Sequence, residues 1–167
     1  MLDYVNKNAR MMSDDYDIWG KVTEVYKLIG KARSIELSAI NLAPEQSHIL
    51  RILMIKGGTS TINEIADMML RKHNTISLLI KRMEKTRLVY REKTESSRKY
   101  MISISEKGIE VFNTMPIDSI EMIFSALSEE QKILFSGSLD LLEEKARHIL
   151  GMDYIPPLLR KNNQYST

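Results

Sequence analysis

Apolar positions recur along this chain in two rhythms, one helical and one of strands, and the switch between them organises everything else. Over residues 16–42, Ile18, Val22, Val25, Ile29 and Ala32 are spaced 4-3-4-3. That is the spacing of a seam lying against another helix, weakened somewhat by Gly20 and Gly30. A second helix is expected in LAPEQSHILRILMIKGG. Pro44 suits its first turn, Gly57 the residue just past its end, and Ile49, Leu50 and Leu53 its inward face. In TSTINEIADMML, Thr61 and Glu64 have capping-box spacing, and Ile62, Ile65, Ala66 and Met69 form the buried stripe. HNTISLLIKRMEK is the next helix, with Ile76, Leu79, Ile80 and Met83 inward. With only about four residues between them, these two short helices are a helix-turn-helix candidate.

The period then falls to two. LVYREK and RKYMISIS read as strands; Tyr100, Ile102 and Ile104 share the buried face and alternate with Met101 and Ser103. The polar tip TESS, residues 94–97, joins them as a hairpin. A hairpin directly after a helix-turn-helix is the order of a winged helix. Ser105 begins a further helix, which Pro116 should kink or interrupt. Ser128 and Gln131 repeat the capping-box spacing before a last helix, where Phe135, Leu139, Leu142, Ala146 and Ile149 again run 4-3-4-3 and Gly151 marks the end.

The expected fold class is therefore mainly α with a small β-hairpin wing: a winged helix-turn-helix flanked by N- and C-terminal dimerisation helices. Residues 1–42 are the N-terminal dimerisation region, 43–108 the winged helix-turn-helix and 109–151 the C-terminal dimerisation helices. Residues 152–167, with Pro156 and Pro157, form an extended or partly disordered tail. Two long seams hold more apolar surface than the small middle section covers, which favours a homodimer over packing within one subunit.

Composition narrows the function classes. Hydrophobic content of 43% and charged content of 28% are those of a soluble globular protein. The absence of cysteine excludes disulfides and thiolate chemistry and fits a cytoplasmic location. No stretch approaches the ~20 apolar residues of a membrane span, so no membrane partner is expected. The net charge of +2 conceals a polarity: residues 71–107 hold eleven Lys and Arg against four Glu, a local +7 that leaves the remainder at −5. Such a segment suits a polyanion contact.

That segment contains RKHNTISLLIKRMEK. With Ile76, Ile80 and Met83 inward, the outward positions are Lys72, His73, Asn74, Thr75, Ser77, Leu78, Lys81 and Arg82, with no acid until Glu84. Asn pairs with adenine, Arg or Lys with guanine, and Ser or Thr with base edges or phosphate; Leu78 is restricted to a thymine methyl or a sugar. Free N–H groups at the helix beginning near Thr61 are further phosphate donors. Arg98 and Lys99, just past the hairpin tip, are placed for a minor groove. The expected partner is double-stranded DNA.

The motifs NEIADMML, HNTISLLIKRMEKTRLVYREK and SRKYMISISEKG, in this order, resemble the MarR family of winged-helix transcriptional regulators. The resemblance covers roughly residues 16–150 and is most specific over 61–108. It implies a homodimer whose recognition helix is residues 74–86 and whose wing is 93–98. Asn74, Thr75, Ser77, Leu78, Lys81 and Arg82 then face the major groove, and Arg98 the minor groove. Three positions depart from the family pattern: Ser96 where an aspartate usually braces the wing arginine, Arg87 where glycine commonly ends the recognition helix, and Leu78 where arginine is frequent. The resemblance also implies a small-molecule effector, often phenolic, held between dimerisation helices and winged helix; Trp19, Tyr26 and Phe112 are the candidates to contact it.

Other chemistry is weakly represented. His48, His73 and His148 are far apart and lack partners at metal-ligand spacing. The pairs Asp14–Asp15, Glu129–Glu130 and Glu143–Glu144 diverge on a helix and do not converge as acid and base. No nucleophile elbow, phosphate loop or dinucleotide fingerprint is present, so no catalytic residues, cofactor or metal are expected. The expected function is sequence-specific regulation of transcription, as a homodimeric repressor of nearby genes bound to an inverted repeat and released by a small ligand. The alternative is a winged-helix protein-interaction module without DNA binding, against which the basic segment counts.

Overall fold

The structure, a computed structural model, describes residues 13–93 and 100–152. Helix α1 spans Asp14–Ser38; Ser13 caps it by accepting the Tyr16 N–H, and Asp14, Asp15 and Asp17 sit at its positive end. Helix α2, Pro44–Ile55, starts with Pro44 in its first turn. It ends in Gly57 and Gly58, both at positive φ, a conformation open to glycine without strain. Strand β1, Thr59–Thr61, leads into helix α3, Ile62–Met68, and helix α4, His73–Lys85. Strands β2, Val89–Lys93, and β3, Tyr100–Ile104, come next, then helices α5, Glu106–Thr114, α6, Asp118–Phe124, and α7, Glu129–Ile149. Pro116 does interrupt the chain, between α5 and α6. Among the described residues no helix is long and apolar enough to cross a membrane.

The sheet is antiparallel in the order β1-β3-β2, with Ser60 opposite Ile102 and Arg91 opposite the same residue on the other side. Strand β1 corrects the expectation that Thr59–Thr61 only precedes a helix. The glycine turn reverses the chain so that this segment pairs with β3 before Thr61 caps α3. The central position of β3 alters its burial as well. Ile102 and Ile104 are buried as expected, but Ser103 is buried too, and Tyr100 at the strand end is half exposed rather than inward.

The core gathers Ile49, Leu50, Ile52 and Leu53 of α2, Ile65 of α3, Ile76, Ile80 and Met83 of α4, and Ile102. Helix α1 contributes only Leu37, near its end, and α7 contributes no buried residue. The seam residues Ile18, Val22 and Val25 on α1, and Phe135, Leu139, Leu142 and Ile149 on α7, are exposed in the single chain. Helix α1 is tied to the segment around the Pro116 break. Arg33 donates to the Glu36 carboxylate, the Pro116 carbonyl and Met115 Sδ, while Glu36 accepts from the N–H and hydroxyl of Ser119 at 2.8 and 2.6 Å.

Candidate nucleic-acid interface

Helix α4 is amphipathic because its apolar residues recur every three or four positions, and Ile76, Ile80 and Met83 anchor it to the core. Its first turn carries no acid, and Arg82 and Lys85 in its last turn complement the negative end of the helix dipole. The opposite face holds Lys72, Asn74, Thr75, Leu78, Lys81 and Arg82, all exposed, with Ser77 half-buried at its edge. Among the described residues no carboxylate pairs with Lys72, Lys81 or Arg82. Glu84, the one acid on the helix, is bound sideways to Arg91 Nε of β2 at 3.1 Å. It therefore joins the helix to the sheet instead of opposing an anion on the outward face.

Two contacts fix the start of the helix-turn-helix. Asn63 Oδ1 of α3 lies 2.6 Å from His73 Nδ1, so the opening residue of α4 is tied to its partner helix and only Nε2 is left to face outward. At the head of α3, the Thr61 N–H and hydroxyl both donate to Glu64, whose own N–H returns to the Thr61 oxygen. The donors of Thr61 are thus committed to its cap. Burial pushes the Glu64 carboxyl up, but the Lys56 ammonium at 2.7 Å, the Thr61 N–H and the Ser60 and Thr61 hydroxyls outweigh it and lower the group to about 2.

The end of α4 is as closely determined. Arg87 has φ +61°, the left-handed conformation that glycine would adopt without strain. The Ser105 hydroxyl donates to the Arg87 carbonyl, Lys107 Nζ reaches the Thr86 carbonyl at 2.9 Å, and the Ser105 N–H reaches the Leu88 carbonyl at 3.1 Å. The S-E-K-G run after the hairpin therefore clamps the end of α4.

Between α3, α4 and the sheet lies a groove of about 540 Å³ lined by Thr61, Asn63, Glu64, His73, Ser77, Arg91 and Tyr100. It brings Thr61, His73 and Ser77 together with Asn63 and Arg91, for which no role was expected, and with Tyr100, which was expected on the buried face of its strand. Arg98, Lys99 and Ser96 lie outside the described residues. A second cavity, about 430 Å³, opens between α1, α2 and the end of α5, lined by Arg33, Pro44, Ser47, His48, Arg51, Phe112, Met115 and Ile117. Of the three residues expected to contact an effector, Phe112 lines this cavity. Trp19 and Tyr26 do not line it: Trp19 is exposed beside Tyr16 with ring centroids 5.3 Å apart, and Tyr26 is exposed further along α1. Loss of contact with water lowers the His48 imidazole below its ordinary value, and the Arg51 charge adds to the effect.

In sequence, residues 40–99 match the MarR family. No curated protein matches the chain. Among solved structures, the chain is similar to the organohalide-sensing transcriptional regulator RdhR-CbdbA1625 in its ligand-free form, with 27% identity over 81% of this chain and 83% of that one, and a TM-score of 0.73. The same regulator with 2,4-dichlorophenol bound superposes with a TM-score of 0.72. AbsC, a MarR family transcriptional regulator from Streptomyces coelicolor, shares the fold at 24% identity, covering 82% of this chain and 97% of AbsC with a TM-score of 0.74. MepR of S. aureus, solved in complex with DNA, does so at 24% identity, over 75% and 94% of the two chains with a TM-score of 0.66.

Proposed function

We propose, starting from a winged helix that is of the MarR family, that this chain is a cytoplasmic homodimeric repressor that places α4 of each subunit in a major groove of an inverted-repeat operator. One observation carries this reading: the outward face of α4 is basic, exposed and free of competing acids, with its single carboxylate bound to Arg91. In this proposal Asn74, Thr75, Ser77, Lys81 and Arg82 address base edges. Lys72 and His73 approach phosphate, while Thr61, whose donors are taken up by its cap, sets the start of α3 and makes no phosphate contact of its own; Arg98 and Lys99 approach the adjacent minor groove. Residues 1–42 and 109–151 supply the dimer contacts, holding the two recognition helices about one helical turn apart, roughly 34–36 Å.

The effector proposed for the cavity beside Phe112 is a small aromatic molecule with acidic character. Phe112, Met115 and Ile117 offer apolar surface, while Arg33, His48 and Arg51 offer positive or polarisable groups. The 2,4-dichlorophenol bound by the similar organohalide-sensing regulator is of that chemical class. A ligand here touches both the long first helix and the winged helix, so it releases DNA by favouring a spacing of recognition helices that no longer fits.

A mobility-shift titration against the promoter region of its own and neighbouring genes, at two salt concentrations, tests the central claim. Binding should weaken with salt at a slope of about −0.9 per phosphate neutralised. No shift even at low salt would overturn DNA binding and leave the protein-interaction module standing.

A further inference from the structure

Leu78 is the exposed apolar side chain of α4, with 58% of its surface open. Each helical residue advances about 100°, so a residue two places from both Ile76 and Ile80 lies roughly 160° around the helix from each. Ile76 and Ile80 are fully buried, which puts Leu78 on the crest directed away from the core. The exposed Asn74 and Lys81 occupy the same crest one turn before and after it. A residue beside the crest meets the sugar-phosphate walls of a groove, whereas the crest itself meets the floor, where base edges lie.

Leucine has neither donor nor acceptor. Pressed against a polar base edge it would strip water from that edge and return no hydrogen bond, at a cost comparable to leaving the group unsatisfied. In the major groove the apolar feature on a base edge is the C5 methyl of thymine. Resting on the DNA-binding reading above, we propose that Leu78 reads a thymine methyl in each half-site, between the base pairs addressed by Asn74 and Lys81. The leucine then acts as a specificity residue rather than as an empty place in the contact surface.

The test begins with duplexes selected from a random library by the full-length protein, in which each thymine is then replaced in turn by deoxyuridine, removing only the methyl. One thymine per half-site should weaken binding about fourfold when replaced, the worth of one buried methyl, and the Leu78→Ala protein should be indifferent to that replacement. Leu78 is exposed, so this variant keeps the fold, which circular dichroism verifies. If every replacement is neutral, or if Leu78→Ala loses as much as the unaltered protein, the thymine contact is wrong while DNA binding stands. Failure to select any duplex overturns the DNA-binding reading, and the thymine contact with it.

Discussion

The hydroxyl of Ser105 donates to the carbonyl oxygen of Arg87 at 2.6 Å while accepting the N–H of Gly108 at 2.9 Å. One side chain therefore caps helix α5 and fixes the residue where α4 turns into the sheet. Arg87 holds a left-handed conformation there, at φ +61°. Replacing it with glycine removes the Cβ that makes this conformation costly, and part of the gain is returned as extra freedom of the unfolded chain. Arg87→Gly should raise stability by about 0.5–1 kcal/mol in urea unfolding. A loss of stability would show that the Arg87 side chain contributes more than its backbone costs.

Gly108 permits the same clamp by lacking a side chain. A Cβ at this position would stand 2.2 Å from the Leu88 carbonyl oxygen and 2.8 Å from an Ile104 side-chain carbon. The oxygen belongs to the backbone, so α5 would have to move off the end of α4. Gly108→Ala should cost about 3 kcal/mol, at the upper end of ordinary overpacking. It should also weaken DNA binding at temperatures where the variant is still folded. Unchanged unfolding would mean that α5 shifts without resistance.

The Glu64 carboxyl links α3 to Lys56 and to its own cap, and it titrates at about 2 instead of its ordinary 4.5. A carboxyl lowered on folding contributes stability that is fully present above 4.5 and is lost as the pH falls from there toward 2. The side chain is 46% exposed, so screening reduces the contribution to on the order of 1 kcal/mol. Glu64→Gln keeps a side chain that can complete the capping box but removes the charge. Chemical unfolding at pH 7 and pH 3 should show a deficit in the variant that shrinks at the lower pH. An equal deficit at both would put the effect in packing rather than charge.

What could be read from the sequence follows from how local each interaction is. Thr61 with Glu64, Ser128 with Gln131, and Pro44 act within a single turn, and all three helix starts fall where those residues indicate. The anchoring of α4 by Ile76, Ile80 and Met83 follows from period alone. Strand β1 is three residues long, too short to show a period, and its partner Ile102 lies some forty residues on from Ser60. The exposure of Tyr100 and the burial of Ser103 depend on which strand is central, which no alternation pattern contains. The outward face of α4 was legible for the same reason as its inward face. The groove beside it was not, because Asn63 meets His73, and Glu84 meets Arg91, only after three elements have packed.

His48 faces the cavity of Phe112, and partial removal from water, with the Arg51 charge second, lowers its imidazole below the ordinary 6.5. The unfolded chain therefore takes up a proton near pH 6.5 before the folded chain does. Stability present above that pH declines as the pH falls from 6.5 through the lower folded value. His48→Gln should flatten this part of the stability profile, measured by urea unfolding between pH 7.5 and 5. The unaltered slope in the variant would assign the effect to other groups.

Helix α7 has no buried residue, although Leu139, Leu142 and Ile149 follow one another at seam spacing and all are exposed. Helix α1 leaves Ile18, Val22 and Val25 in the same condition. Contiguous apolar faces on two long helices are costly in water and are the surface a second copy would cover, a specific interface needing about 800 Å² from each partner. The protein should sediment as a dimer at micromolar concentration, and Leu142→Glu should shift it toward monomer with little loss of helicity, because the core of the winged helix contains no residue of α7. Binding to an inverted repeat should fall far more than binding to a single half-site, since separate subunits lose the effective concentration that linkage provides. A monomer in the unaltered protein would sink the dimer proposal, and a dimeric Leu142→Glu would place the contact on another part of the seam.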